Sequence, residues 1–589
     1  MILTPGIDFI ARTSFDFILP CGVAYATLIL GGGYLGLDTP KWAAAVLSFA
    51  LRLGYIVSKP WVEEYQNSRT ARANGAVLAP RVKENHIELV QDLVRELDHG
   101  YPCETFCKLS DKYGTTFRFS VGLEERHFTS EPDHVKAILA TNFEEFDKGP
   151  GLRSQLESLL GSGVFNSDGE MWKFHRSITR PFFTRDRISD FDTFDRHSKE
   201  ALSMADSRLS EGYPIDFQDL AARFTLDSAT EFLFKNDVRS LSAGLPYPVH
   251  PSPFTKANPP SFINHPSNIF VEAFVTSQDI TAMRTQLGDL WPLSEFWKDT
   301  VGPLRKVLDG FVQPFIEKGF REKETRDGSD KSSETLLDFL VDKTSDQDVI
   351  RDELVNLLVA ARDTTSSLLT FSLYMLIEHP DIEKRLRKEI LDKVGYERTP
   401  TSEDIREMRY LKAFLNEVLR LYATVPLNTR TAMKPVILPP PAGSNTPLYF
   451  PANSRTIYSV FLMHRRTDLW GPDALEFDPD RFLDERVRKY LVPNPFIFCP
   501  FNAGPRICLG QQFAYNEASF FLVRLLQRFS SFTFEEKARP LDAAAPKPEW
   551  VGIPGPQGKD KIRLRNNLTM YVKGGLWIRM KEVKDGESA

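Results

Sequence analysis

One cysteine near the C-terminus stands where sulfur could ligate a metal. It lies in the segment Phe501-Asn-Ala-Gly504-Pro-Arg506-Ile-Cys508-Leu-Gly510, a loop that precedes a helix-like stretch from Gln511 to Phe529. A thiolate at such a junction faces unpaired backbone N–H groups and the positive end of the helix dipole, and both stabilise a charged sulfur. The flanking glycines permit positive φ and close approach to a flat ligand. The alternative is a buried free cysteine in an ordinary turn.

A run of hydroxyl residues interrupts the longest predicted helix. The pattern predicts this helix from about Ser345 to Glu378, with Asp346 as an N-cap candidate and Pro380 at its end. Its centre reads Leu357-Leu-Val-Ala-Ala-Arg-Asp363-Thr364-Thr-Ser-Ser367. Hydroxyl side chains compete for backbone hydrogen bonds inside a helix, and such failures of a local rule often mark function. The alternative is a solvated helix face.

Two further pairs of side chains each share a helix face. Trp172 and Arg176 present an indole N–H and a guanidinium, two donors that suit an anionic carboxylate. His175 lies between them and is expected to be a surface histidine. Glu417 and Arg420 are spaced i, i+3 on another predicted helix, so the acid and the guanidinium can pair.

Taken together, these motifs resemble the cytochrome P450 monooxygenases from about residue 110 to 540, in the order of that family. The resemblance implies a mainly α fold with small β-sheets, behind an N-terminal transmembrane anchor. It makes Cys508 the axial iron ligand of haem b, with Phe501 and Gly510 in the haem loop. It further implies that Asp363 relays protons through water and that Thr364 hydrogen-bonds dioxygen. By the same resemblance, the candidates for binding the haem propionates are Trp172, Arg176, Arg430 and Arg506. A structural triad is expected from Glu417, Arg420 and Arg481.

The activity that this resemblance implies is hydroxylation of a lipophilic substrate with two electrons from NADPH. The motifs are most similar to those of fungal alkane and fatty-acid hydroxylases, which favours a long-chain acid or alkane. Broad xenobiotic oxidation, or oxidation of a terpenoid or other secondary metabolite, is the alternative on the same haem. A haem-thiolate isomerase and a non-catalytic haem sensor are alternatives of another class, against which the intact Asp363–Thr364 pair argues.

The expected partners follow from what the sequence lacks. No Gly-x-Gly-x-x-Gly turn follows Cys508, so electrons are expected from NADPH-cytochrome P450 reductase, with cytochrome b5 as a further donor. A net charge of −6 gives no basic footprint for nucleic acid. The residues expected to line the substrate pocket are apolar, which favours a lipophilic ligand: Leu357, Val359, Ala360, Val425 and Leu427.

The N-terminus carries two apolar stretches. Phe17 to Leu37 is free of charge and long enough to span a bilayer, whereas the stretch from Trp42 to Val57 is shorter and contains Arg52. A basic excess follows, which predicts that this side stays cytosolic, on the endoplasmic reticulum membrane. We therefore expect an anchor of one or two spans at 1–60, a linker and entry segment at 61–110, and the monooxygenase domain at 111–589. The alternative is a buried soluble hairpin.

Two other segments carry local predictions. Residues 240–268 hold seven prolines and are expected to form a non-helical surface loop. Thr116–Val121 and Glu125–Thr129 flank Gly122 and predict a β-hairpin. The five cysteines are few and irregularly spaced, which indicates a reduced chain rather than a disulfide framework.

Overall fold

The polypeptide is mainly helical, with small β-sheets. The computed structural model describes residues 4–36, 39–122, 124–184, 188, 191–248, 254, 256–325, 335–543 and 545–583. In chain order the helices are α1 Pro5–Tyr34, α2 Lys41–Ala73, α3 His86–His99, α4 Glu104–Tyr113, α5 Pro132–Lys136, α6 Pro150–Leu160, α7 Gly169–Thr179, α8 Asp192–Ser210, α9 Phe217–Phe234, α10 Pro260–Ile263, α11 Pro266–Leu287, α12 Gly302–Thr325, α13 Leu336–Lys343, α14 Gln347–Glu378, α15 Pro380–Val394, α16 Ser402–Glu407, α17 Arg409–Leu421, α18 Val460–Met463, α19 Thr467–Trp470, α20 Gln511–Arg528 and α21 Pro556–Lys559.

The strands form four sheets among the described residues. Their bounds are β1 Val77–Leu78, β2 Thr116–Val121, β3 Glu124–Thr129, β4 Phe146–Asp147, β5 Ile215–Asp216, β6 Leu427–Ala432, β7 Val436–Leu438, β8 Leu448–Phe450, β9 Arg455–Ser459, β10 Phe529–Phe534, β11 Leu564–Asn566, β12 Met570–Val572 and β13 Trp577–Glu582. The largest sheet has the order β2-β3-β9-β6-β4, and the others are β1-β8-β7, β10-β13-β5 and β11-β12. The antiparallel β2–β3 pair, which joins Thr116 to Thr129, confirms the predicted hairpin.

Helices α1 and α2 form an antiparallel hairpin. The Phe17 and Phe49 rings lie 5.4 Å apart, and the Arg52 guanidinium donates to the Asp16 carbonyl at 2.8 Å. By length and composition, both helices could cross a membrane. The second is longer than the predicted stretch and continues to Ala73, so the expected boundary at residue 60 falls inside α2. Leu37, the expected end of the first span, lies outside the described residues.

Helix α14 is the central element of the core. The Asp346 carboxylate accepts from the backbone N–H groups of Asp348 and Val349, and the helix ends before Pro380. This confirms the predicted long helix, and the run of hydroxyl residues does not break it. Helices α9, α12, α17 and α20 pack around it, so that its second half is fully enclosed. Residues on α14 are therefore fixed from several sides.

The proline-rich segment is only partly non-helical. A 3₁₀ turn spans Ser240–Ala243, and both α10 and α11 begin with a proline. The prediction of no helix is wrong at this end of the segment, because proline is favourable at the first helical position, where its missing N–H costs no bond. Pro251 and Pro253 lie outside the described residues.

Candidate active site

The Cys508 loop is held by its own backbone. A 3₁₀ turn at Gly504–Arg506 precedes the cysteine, whose N–H donates to the Phe501 carbonyl at 3.0 Å. Gly504 has φ +68°, and an added Cβ would lie 1.8 Å from the Leu139 carbonyl oxygen, so only glycine fits there. Gly510 is different. It stands at the N-cap of α20 with φ −83°, so it does not use the positive φ that a glycine permits.

The Cys508 thiol is placed in an environment that partly supports its ionised form. The pKa of this thiol is raised overall, because desolvation outweighs the Gly510 backbone N–H and the charge of Arg176, which both lower it. Cys499 provides a contrast nine residues upstream. Burial raises the pKa of that thiol to about 12, and its Sγ donates to the Phe496 carbonyl at 3.4 Å. Of these two cysteines, Cys508 is the better candidate for a metal ligand, because it is exposed and an N–H group and a positive charge lower its pKa, whereas Cys499 is buried.

Arg506 and Trp172 come together although they are distant in sequence. The guanidinium carbon lies 4.5 Å from the centre of the indole ring. Nη1 of Arg506 donates to the Ser167 carbonyl, and Nη2 donates to the Asp147 and Asp168 carboxylates, each at 3.0 Å. Helix α7 carries Trp172 and Arg176, as the sequence predicts.

Arg430 and Lys148 add positive charge beside Arg506. Arg430 is buried on β6 and donates to its neighbour's carbonyl, that of Thr429, at 2.8 Å. Lys148 was not predicted to be a site residue. Its pKa is held well below the usual lysine range by burial and by the charges of Arg430 and Arg506. The available signal was only a lysine directly before Gly149-Pro150.

Asp363 and Thr364 lie at the centre of α14. The Thr364 hydroxyl donates to the Ala360 carbonyl at 2.5 Å, one turn earlier. The Asp363 carboxylate is held between two groups, since it pairs with the Arg362 guanidinium and accepts from Nε2 of Gln278 at 2.7 Å. Gln278 lies on α11, and nothing in the sequence near it marks the contact.

Comparison with known proteins identifies the group to which these features belong. A sequence model described as Cytochrome P450 matches residues 82–553, which include every residue of the site. The chain belongs to the cytochrome P450 family. It is 36% identical over 450 residues to Cytochrome P450 52A3-A of Candida maltosa, covering 73% of this chain and 80% of the relative. It is 33% identical over 536 residues to Cytochrome P450 52A3-B of the same yeast, covering 89% and 94%.

Membership confirms the fold, the enzyme class and the cofactor that the motifs predicted. The protein is a cytochrome P450 monooxygenase that uses a thiolate-ligated haem b and a separate redox partner. Its mainly helical architecture agrees with that family. A further relative, Cytochrome P450 monooxygenase g430 of a Fusarium species, is 35% identical over 453 residues, covering 75% of this chain and 76% of the relative.

The residues around Cys508 of this P450 fit a haem with two propionates. Burial is the main cause of the low pKa of Lys148, and the positive charges of Arg430 and Arg506 lower that pKa further. Among the described residues, Nε of the buried Arg506 has no hydrogen-bond partner. Two propionates would supply both negative charge and an acceptor. Gly510 has no side chain, and even a Cβ added to it would stand 4.0 Å from the Cys508 sulfur. The space beside the sulfur therefore stays open.

The predicted structural triad of this P450 is confirmed. Arg420 donates to both carboxylate oxygens of Glu417 at 2.7 Å, and Nε of Arg481 donates to one of them at 3.4 Å. The three side chains are buried. Arg420 also donates to the carbonyls of His464 and Ala474. Complete pairing makes such a buried charge cluster tolerable.

One buried acid in this P450 was missed from the sequence. Glu517 lies on α20, nine residues after Cys508, and burial raises the pKa of its carboxyl to about 8. The side chains of Ser228 and Thr365 lower that pKa, although no hydrogen bond of good geometry reaches either oxygen within the described part of the chain. Because Thr365 follows Thr364, the carboxyl of Glu517 on α20 lies near the run of hydroxyl residues on α14.

The expectation for His175 is wrong. The imidazole is fully buried, and its Nδ1 lies 2.8 Å from the Glu353 carboxylate of α14. Glu353 also accepts from the Thr179 hydroxyl at 2.9 Å. Helix α7 turns this residue toward the core, while Trp172 and Arg176 lie on its partly exposed side. The histidine therefore joins α7 to α14.

Proposed function

We propose that this P450 hydroxylates a long-chain fatty acid or alkane at a haem whose iron is ligated by Cys508. The observation that carries the assignment is the position of this thiol, in a loop held by the bond from the Cys508 N–H to the Phe501 carbonyl and directly before the N-terminus of α20. When bound, the thiolate-ligated haem supplies the activation of dioxygen and the insertion of one oxygen atom into a C–H bond. The chain supplies ligation, orientation and proton delivery.

The propionate contacts are assigned to Trp172, Arg176, Arg430 and Arg506, and the structure adds Lys148 as a fifth candidate. Support comes from the stacking of Arg506 on Trp172 and from the shared positive charge around Lys148. Guanidinium and indole N–H groups are suited to orient a carboxylate. Phe501 supports the loop from the other side, since its ring packs 5.2 Å from that of Tyr515.

Proton delivery is assigned to Asp363 and Thr364. The Asp363 carboxylate can accept a proton from water and pass it on when its contact with Gln278 or Arg362 loosens. The Thr364 hydroxyl donates to the Ala360 carbonyl, which leaves the oxygen lone pairs free to accept a hydrogen bond. Asp363 and Thr364 therefore provide a carboxyl that can pass on a proton and a hydroxyl that can position the bound group, at adjacent positions of a rigid helix.

The lipophilic substrate is supported by the expected pocket wall. Leu357 and Val359 are buried on α14, and Ala360, Val425 and Leu427 are partly buried. All five side chains are apolar, and an apolar wall stabilises an aliphatic chain by removing it from water. The long aliphatic class is favoured over aromatic and terpenoid substrates by the similarity of the motifs to those of the fungal hydroxylases.

The partner and the location are also proposals. We assign electron delivery to NADPH-cytochrome P450 reductase, with cytochrome b5 as a further donor, and the membrane to the endoplasmic reticulum. Both ends of the α1–α2 hairpin contact the rest of the chain, through the hydrogen bond of the Thr4 hydroxyl to the Phe296 carbonyl and through β1. A two-span anchor with the catalytic domain on the cytosolic face fits this arrangement and the basic residues in the second half of α2 and just after it.

The domain assignment keeps an anchor at 1–60, an entry segment at 61–110 and the monooxygenase domain at 111–589. The entry segment contributes to the core, because Leu89, Leu93 and Phe106 pack in one cluster with Phe117. We therefore propose that it folds with the catalytic domain. The proline-rich residues 240–268 stay within that domain, between α9 and α11.

A spectroscopic screen tests the function. The full chain, purified from membranes, is reduced and treated with carbon monoxide, and a thiolate-type Soret band is expected. It is then titrated with a long-chain fatty acid, an alkane, an aromatic xenobiotic and a terpenoid. The proposal expects spectral shifts and NADPH-dependent hydroxylation, with added reductase, for the aliphatic pair. Tight binding and turnover confined to the aromatic or terpenoid compound would overturn the substrate assignment while leaving the ligation intact.

A further inference from the structure

A second cluster of metal-ligating side chains lies outside the active site, between α8 and the end of α9. One ring nitrogen of His197 and one carboxylate oxygen each of Asp227 and Asp237 all lie within 4.8 Å of one another. His197 and Asp227 are buried, and Asp237 is partly exposed on the segment after α9. The three residues therefore converge from two helices and a loop.

The imidazole of His197 is prepared for a ligand. Its Nε2 lies 2.7 Å from the Glu231 carboxylate, which fixes the proton on Nε2 and leaves Nδ1 with a free lone pair. Within the described part of the chain, Nδ1 has no hydrogen-bond partner, although the residue is 0% exposed. A carboxylate bonded to one ring nitrogen and a free lone pair on the other is the arrangement that supports metal-bound histidines.

The two aspartates bring negative charge to the same point. Asp227 is held by the backbone N–H groups of Ser240 and Leu241, at 2.7 and 2.9 Å, and each of its oxygens keeps a further lone pair. Asp237 accepts from the Arg239 N–H through one oxygen, and within the described ranges no hydrogen bond reaches its other oxygen. Because the two carboxylates lie within 4.8 Å of each other, a cation between them would relieve their repulsion.

We propose that His197, Asp227 and Asp237 form a structural site for one divalent metal ion, of which Zn²⁺ fits best. One imidazole and two carboxylates are common zinc ligands, and a water molecule would complete a tetrahedral shell. Ligand atoms of such a shell stand about 3.3 Å apart, so a small contraction of the cluster on binding suffices. The ion would fasten α8 to the loop that opens the proline-rich segment at Ser240, and it has no part in the haem chemistry.

Metal content tests the site in the full-length haem protein. The protein is produced with zinc in the medium and passed over a chelating resin, and zinc and iron are then measured by mass spectrometry. The expected result is about one zinc per haem iron. Removal of zinc by a stronger chelator should lower the melting temperature, and added Zn²⁺ should restore it. A haem-loaded protein without zinc, whose melting temperature does not respond to Zn²⁺, would overturn the proposal.

Variants separate the site from adventitious zinc. Asp237→Asn and His197→Gln should both lose the zinc, while Glu231→Gln should weaken zinc binding by roughly 10- to 100-fold. Asp219→Asn is the matched control, because Asp219 lies on the same helix α9 but pairs with Arg223 at 2.7 Å, and it should keep the zinc. If His197→Gln does not bind haem, the zinc content of Asp237→Asn decides the test, because Asp237 is partly exposed. Full zinc content in Asp237→Asn would contradict the assignment.

Discussion

The Glu64 carboxylate of α2 accepts hydrogen bonds from both terminal nitrogens of the Arg118 guanidinium, at 2.5 and 2.6 Å. Arg118 lies on β2, where its side chain is only 8% exposed, and it also contacts Glu125 at 3.2 Å. The last turns of α2 are therefore bound to the sheet of the catalytic domain, although the first half of the same helix is long and apolar enough to enter a membrane.

Two truncations should consequently differ. Deletion of residues 1–57 removes the apolar hairpin but keeps Glu64, so much of the protein should leave the membrane and still bind haem. Deletion of residues 1–73 also removes the partner of Arg118, and the haem domain should be less stable by about 1–2 kcal/mol. Sedimentation and thermal melting monitored at the haem band measure both effects. Equal melting temperatures for the two variants would contradict the role of Glu64.

The ligation prediction concerns two cysteines that lie nine residues apart. Cys508→Ala should yield protein without haem or without the thiolate-type spectrum in reduced, carbon-monoxide-treated form. Cys499→Ala should keep the spectrum, because burial holds the pKa of its thiol at about 12 and its Sγ donates to a carbonyl. A normal thiolate spectrum in the Cys508 variant would exclude this residue as the ligand.

The prediction for Asp363 and Thr364 distinguishes the coupling of NADPH consumption to product formation from the rate of turnover. Thr364→Ala should continue to consume NADPH but release more of it as hydrogen peroxide, because the hydroxyl that guides protonation is lost. Asp363→Asn should slow turnover, since general acid–base assistance is typically worth ~10²–10⁴-fold. Substrate-binding spectra should change little in either variant, which serves as the internal control. Unchanged coupling in the first variant and an unchanged rate in the second would show that both residues only fill the helix.

The buried triad should be needed for folding rather than for chemistry. Glu417→Gln removes the charge that Arg420 and Arg481 share, and an uncompensated buried charge costs about 3–5 kcal/mol. We expect little haem-containing protein in expression trials. The control is Glu403→Gln, which breaks the exposed pair with Arg406 and should leave the yield unchanged. Normal yield and melting temperature for the Glu417 variant would contradict the structural role.

Glu517 should make stability depend on pH. The folded protein keeps this carboxyl protonated up to about pH 8, whereas the unfolded chain loses the proton near its ordinary pKa of 4.5. The stabilisation is therefore complete below pH 4.5 and declines as pH rises toward 8. Glu517→Gln keeps the shape of the side chain but cannot ionise. The melting temperature of this variant, relative to that of the unmodified chain, should therefore rise between pH 5 and pH 8. The prediction fails if the difference in melting temperature stays constant across that range.

Most of the elements that carry chemistry could be predicted because their signals are local. The α14 boundaries follow from an acidic N-cap and a terminating proline, and the β2–β3 hairpin follows from two strand-like runs around Gly122. The triad of Glu417, Arg420 and Arg481 was predictable through motif resemblance, since its third member lies some sixty residues away. The proline-rich segment shows the limit of local rules, because proline both excludes helix interiors and starts helices.

By itself, the sequence determined which side chains this P450 offers: a cysteine in a glycine-framed loop, an acid and a threonine on a long helix, and donors on α7. Only the tertiary structure decided which of them meet. Three contacts join residues that are tens to hundreds of positions apart. Arg506 lies over the Trp172 ring, Gln278 donates a hydrogen bond to Asp363, and the charge of Arg430 lies beside Lys148. Hydrogen bonds, burial and charge act through space, so their partners are set by packing, whereas helix caps and turns depend on neighbours in the chain.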